Sequence, residues 1–249
     1  AFAGLSQEKA LLVAVSGGVI GGLLGLAQAQ AAASIREEFA AGPAAGLTLQ
    51  VRAGADPAEQ DRLARESLTA GFAPARIAVR TTLISEPVRV GDLSLVAWAM
   101  EQPGSDGVSI VGGRWPEGAY EVALHGEAAG RTGLAVGDTL ALADRVVTVS
   151  ALWLPEDPAD PRWQGDPLAL RGHDAAVTGP LLASPDLVTG LPGTPLLRWT
   201  VVPELPTLTA AQLPALVQGA AEATALVRAG DATGRGVSMT GDLGPAAER

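Results

Sequence analysis

From Leu47 to Val51, in the run LTLQVRA, apolar and polar residues alternate with the period of a half-buried strand. The spacing then becomes helical. Asp56 stands where an N-cap would, Pro57 takes the first helical position, and Glu59 sits where a capping box needs its carboxylate. Leu63, Leu68 and neighbouring alanines supply the buried stripe, and Gly71 is the expected stop. ARIAVRTTLI and LSLVAWAM return to strand character, separated by Glu86-Pro87 and Gly91-Asp92, which completes a βαββ opening. VSIVGGRW predicts a short strand ending at Gly112-Gly113, AYEVALHG a strand, EAAGRTG a short helix, and GDTLALADRVVTVSALWL a hairpin that turns at Ala143-Asp144. PEDPADPRWQGDP is proline-rich, acidic and aperiodic, and predicts a loop. DAAVTGPLL and LLRWTVV predict strands. Thr209 to Gln212 forms a second capping box, opening an alanine-rich helix towards Arg228 that Pro214 kinks or delays, and GVSM predicts a last strand. This mixture of strands and helices predicts an α+β body over residues 43–249.

The first 42 residues follow another pattern. No charge occurs from Ala10 to Ala33, and from Ala10 to Ala27 every residue but Ser16 is apolar or small. A helix of about 20 such residues spans a bilayer's hydrocarbon layer. Glycine is costly in a water-exposed helix, yet Gly17, Gly21 and Gly25 repeat at i+4, as do Gly18 and Gly22. Such small-xxx-small tracks make a smooth groove for close packing of a second membrane helix. The expectation is a membrane helix, continued through QAQAAASIREEF to Phe39 as a stalk. A buried soluble helix and a signal peptide, with Ala27-Gln28-Ala29 as an A-x-A site, are the alternatives. A span or a signal peptide would place the body outside the cytoplasm.

Composition narrows the function classes. A net charge of −10 opposes the basic footprint that phosphate backbones demand, so no nucleic-acid partner is expected. The absence of cysteine removes disulfides, thiolate metal sites and cysteine nucleophiles. Lys9 is the single lysine, which removes a P-loop or Schiff-base lysine from the body.

The richest cluster of candidate chemistry is RWPEGAYEVALHGE, Arg114 to Glu127. His125-Gly126-Glu127 matches half of a zinc deaminase signature, whose other half needs cysteines. With His173 the only other histidine, an all-histidine zinc site lacks ligands, and His125 is expected to be an exposed or capping residue. Glu117, Glu121 and Glu127 could pair as acid and base, but a solvated surface is the expectation. Asp157, Asp160 and Asp166 lack the order of a calcium loop and are expected in a structured loop pinned by Trp153 and Trp163. No catalytic residue, cofactor or metal is expected.

An apolar helix running into a stalk, followed by GGRWPEGAYEVALHGEAAGRTGLAVGDTLAL and VVTVSALW, resembles the extracytoplasmic domain of FtsX-like, MacB-like ABC transporter permeases, of the alanine- and arginine-rich actinobacterial kind. The resemblance is densest from Gly112 to Leu154. It implies a non-catalytic cell-membrane protein in which ATP-driven motion passes through membrane helix and stalk to an outer domain. The implied partners are a separate cytoplasmic ATPase subunit, the remaining permease helices, a second permease copy or paired permease, and membrane lipid. The alternative is a stand-alone membrane-tethered or secreted binding module.

Overall fold

The computed structural model describes residues 47–100, 107–204, 209–212, 215–216, 218–222, 225 and 238–240. The expected membrane helix and stalk, with Gly17, Gly18, Gly21, Gly22 and Gly25, lie outside the described residues. Among these, no helix is long and apolar enough to cross a membrane.

The chain is a mixed α and β fold with one large sheet and few helices. Strand β1 (Leu47–Arg52) leads into helix α1 (Pro57–Phe72), then β2 (Ile77–Ile84), β3 (Val88–Val90) and β4 (Leu93–Met100). After β5 (Val108–Gly113) and β6 (Glu121–His125) come α2 (Gly126–Thr132) and the hairpin of β7 (Thr139–Leu142) with β8 (Arg145–Pro155). A 3-10 turn (Pro161–Trp163), α3 (Pro167–Arg171), β9 (His173–Asp174), β10 (Val177–Leu182), α4 (Pro185–Thr189) and β11 (Leu196–Pro203) follow. A second 3-10 turn (Ala210–Gln212) precedes helical residues around 218–222, and β12 (Ser238–Thr240) closes the described chain.

Strand order across the sheet is β12-β1-β11-β2-β4-β10-β6-β8-β5, with β3 on β4, β7 on β8 and β9 on β10. Two pairings are parallel, β4 with β10 and β6 with β8. The β2–β4 junction is short: Thr82, Leu83 and Ile84 face Met100, Ala99 and Trp98. Each face of the sheet is covered. On one, Leu49, Leu95, Val149, Leu181 and Trp199 pack with Leu68 and Phe72 of α1 and Leu187 of α4. On the other, Val96, Trp98, Ala123, Ala151 and Trp153 pack with Trp163 and Ala169, supplied by the chain between β8 and β9.

The Asp56 cap holds: its carboxylate accepts from Ala58 N and Glu59 N at 3.1 and 3.0 Å. Glu59 is instead taken by the guanidinium fork of Arg62, one turn on, at 2.6 and 2.7 Å, where paired charged bonds outweigh one neutral amide. The buried stripe is Gln60, Ala64, Leu68 and Phe72, with Leu63 only half-buried. Gln60 stays in register because its amide bonds Gly54 N and Arg52 O at the β1–α1 turn. Gly71 does not end α1, which continues to Phe72 and stops before Pro74, a residue with no N–H to carry the helix on. Gly71 is buried instead, and its carbonyl lies so near Gly219 that a side-chain carbon there would approach it to 2.7 Å.

PEDPADPRWQGDP is not wholly loop. Asp160 and Asp166 each cap a short helix whose first residue is proline, Pro161 and Pro167, and Ser184-Pro185 does the same for α4. These helices have three or five residues, too short to show a period. The β7–β8 hairpin turns at Ala143 and Asp144 as expected, Ala143 taking φ +58°.

One polar knot ties α1 to the sheet. Asp61 accepts from Trp199 Nε1 on β11 at 2.7 Å, from Thr81 Oγ1 on β2 at 2.6 Å, and from Arg65 Nε at 2.9 Å. Arg65 in turn donates to Val79 O at 2.9 Å and Thr81 Oγ1 at 2.5 Å. Replacing Asp61 by alanine leaves the buried indole N–H unpaired and removes a charged acceptor. The expected loss is about 3 kcal/mol of unfolding free energy, read from urea midpoints, with Leu68→Ala costing a similar amount through its cavity.

Candidate functional site

The Arg114–Glu127 segment folds as a clasp followed by a strand. At Gly113, φ is +73° and the backbone lies against the Ser150 carbonyl, so a side-chain carbon would collide with it. Arg114 N donates to that same carbonyl at 2.9 Å. The chain then loops out through Trp115 and Pro116 and is drawn back by Glu121. Both carboxylate oxygens of Glu121 accept from the Arg114 guanidinium, and Oε2 also accepts from Glu117 N at 3.0 Å and Gly118 N at 3.1 Å. Arg114 and these amides hold the Glu121 carboxyl down at about 2. Its lone pairs are thereby committed to the loop. Glu117 lies at 3.8 Å from Arg114 and its side chain is 82% exposed.

His125 caps, but it is wholly buried rather than exposed. Its Nδ1 accepts from Glu127 N at 3.2 Å at the start of α2, and Nε2 donates to Ala169 O of α3 at 3.0 Å, which fixes the tautomer. The ring stands edge-on to Trp153, centroids 4.8 Å apart, and burial pushes its pKa down. Trp153 stacks on Trp163 at 6.0 Å, so the two tryptophans do pin the acidic segment. The three aspartates there serve local geometry: Asp157 accepts from Ala159 N, Asp160 from Arg162 N and Nε, and Asp166 from Leu168 N and Arg198. Among the described residues no group of three or more His, Asp or Glu side chains could hold a metal ion.

The sequence reading missed a cleft of about 260 Å³ between the sheet and this acidic segment. Pairing register builds one wall: Arg198 lies opposite Thr82, which faces Met100, and Thr200 lies opposite Arg80. The segment after β8 supplies Arg162, Trp163 and Asp166, and Trp98 is part of the lining. Arg198 bonds Asp166 at 2.5 Å, and its guanidinium carbon stands 5.2 Å from the centre of the Trp98 ring. With the Gln50 amide turned so that its oxygen faces the guanidinium, that oxygen accepts from Arg198 Nε and Nη2 at 2.8 and 3.1 Å. The sequence signal for this cleft is the alternation of Arg and Thr in AVRTT and RWT. It becomes legible only when the strand register is known.

Two pH effects follow. The folded pKa of His125 lies below the ordinary 6.5, so the unfolded chain takes up that proton first. Stability should therefore fall as pH drops below 6.5, and His125→Gln should flatten that slope in urea titrations. The Glu121 carboxylate moves from 4.5 to about 2, so its contribution is complete above 4.5 and disappears towards 2. Glu121→Gln should speed amide exchange at Glu117 and Gly118 about tenfold while leaving exchange in β8 unchanged.

No protein-family model matches this chain, and no curated protein matches it.

Proposed function

We propose that the chain is a non-catalytic extracytoplasmic part of an ABC transporter permease, coupling cytoplasmic ATP hydrolysis through its N-terminal membrane helix and stalk to the outer α+β domain. The observation that carries this reading is the pairing of β1 with β12. Thr48 lies opposite Thr240 in antiparallel register, so the chain enters the fold and leaves it at the same end of two neighbouring strands. A domain set on a membrane through both of its flanking segments needs this arrangement. The Gly112–Leu154 stretch that carries the family resemblance adds support, because it runs from the end of β5 through β6, α2 and β7 to β8 as one pairing unit. The stand-alone binding module remains the second reading, favoured by the cleft.

The lack of native cysteine gives a clean topology test. With Glu156→Cys, a membrane-impermeant maleimide applied to intact source cells should label the chain, which should stay in the membrane fraction after carbonate washing. Labelling only after lysis would overturn the extracytoplasmic placement. A vanadate-sensitive ATPase should co-purify with the solubilised chain; a labelled chain without it would favour the stand-alone module.

A further inference from the structure

Three side-chain atoms among the described residues are buried with no hydrogen-bond partner: Thr48 Oγ1, Trp98 Nε1 and Arg162 Nη1. They come from distant parts of the sequence, and two of the three residues meet at the cleft. Trp98 and Arg162 line the cleft, and Thr48 is paired across the β1–β11 ladder with Thr200, which also lines it. Strand partners present their side chains to the same face, so all three atoms lie on the Arg- and Thr-bearing side of the sheet. An unmet buried donor costs about 1–3 kcal/mol. Two such donors on residues that line one cleft, Trp98 and Arg162, mark it as a place where something else completes the hydrogen bonding.

The neighbouring chemistry defines the occupant. Arg65, Arg80, Arg162 and Arg198 contribute to the lining against one lining carboxylate, Asp166. Arg198 is already committed to Asp166 and Gln50, and Arg65 to Asp61, Val79 and Thr81. Arg162 spends its Nε on Asp160 and leaves Nη1 unpartnered, with a side chain only 12% exposed. Its guanidinium lies where a side chain at Gly107 would sit, and 5.9 Å from the centre of the Trp163 ring. An indole N–H and a guanidinium N–H are both donors without acceptor capacity, so the occupant supplies acceptors. A guanidinium favours the flat oxygen pairs of phosphate and carboxylate. Trp98, Trp163 and Met100 add an apolar wall. The volume is at the small end for ligand sites, which suits one oxyanion on a short stem. In a chain of net charge −10, such an anion is drawn by this local array rather than by the field of the whole molecule.

We propose that the cleft between β11, β2, β4 and the Pro161–Arg171 segment binds a small oxyanion, phosphate or carboxylate, carried on an apolar stem, with Arg162 and Trp98 as donors. The oxyanion can come free in solution or as a lipid headgroup. This site is independent of the permease reading, and each can fail without the other.

The test is isothermal titration of the full chain in non-ionic detergent with three probes: inorganic phosphate, hexyl phosphate and dihexanoyl phosphatidylglycerol. Saturable binding of at least one probe is expected. Arg162→Gln should weaken it at least tenfold, about 1.4 kcal/mol, and Trp98→Phe, which keeps the ring and removes the N–H, about threefold or more. Arg171→Gln, an exposed cation outside the cleft lining, should bind as wild type. Preference for hexyl phosphate identifies a free stemmed anion as the source and preference for the glycerophospholipid a headgroup, whereas equal affinity for inorganic phosphate and hexyl phosphate would overturn the apolar stem. Absence of saturable binding for all three probes would overturn the proposal. So would unchanged affinity in folded Trp98→Phe and Arg162→Gln, or an equal loss in Arg171→Gln.

Discussion

Three residue pairs, Thr82 with Met100, Leu83 with Ala99 and Ile84 with Trp98, join the two halves of the sheet. On one side lie β12, β1, β11 and β2; on the other lie β4, β10, β6, β8 and β5. A junction this short holds because apolar packing crosses it on both faces. Leu83, Ala99 and Leu197 belong to the core beneath α1, and Ile84, Trp98 and Leu196 to the core beneath Trp163. Asp61 reinforces the first half from above by holding Trp199 and Thr81 at once, so the angle of α1 and the spacing of β11 and β2 are fixed by the same carboxylate.

The second face depends on a different set of contacts. His125 reaches from the end of β6 to the Ala169 carbonyl, and Trp153 of β8 stacks under Trp163, so the segment after β8 is held to the sheet at two points. Asp166 and Arg198 add a third at the mouth of the cleft. The cleft therefore has one wall made by sheet register and another made by capped short turns. Its lining includes Thr82, Trp98 and Met100, the residues of the short junction, so a bound group there touches both halves of the sheet.

Local signals in the sequence were readable where a period was long enough to show. The strand alternation at Leu47–Val51, the Asp56-Pro57 helix start and the Ala143-Asp144 turn all appear where the pattern puts them. The same Asp/Ser-Pro signal recurs at Asp160-Pro161, Asp166-Pro167 and Ser184-Pro185, but the short helices it starts have no second turn to announce them. Gly71 misled because glycine serves close packing as well as termination, and only the neighbouring helix decides between them. The burial of His125 was illegible because its acceptor, Ala169, lies 44 residues away. The cleft was illegible for the same reason on a larger scale, since residues near 65, 80, 98, 162 and 198 meet only through the order of strands.

The β1–β12 pairing has a mechanical meaning. Strand β12 meets β1 through three residue pairs, whereas β1 meets β11 through six. If the two flanking segments are drawn apart, the load falls on Thr48 and Thr240 first and peels the short ladder open one rung at a time. If they move together along the strand axis, that ladder carries no load and the thrust passes into the six rungs of β11 as shear, where all resist at once. The sheet is thus compliant to separation and stiff to a shared push, a directional response set by register alone.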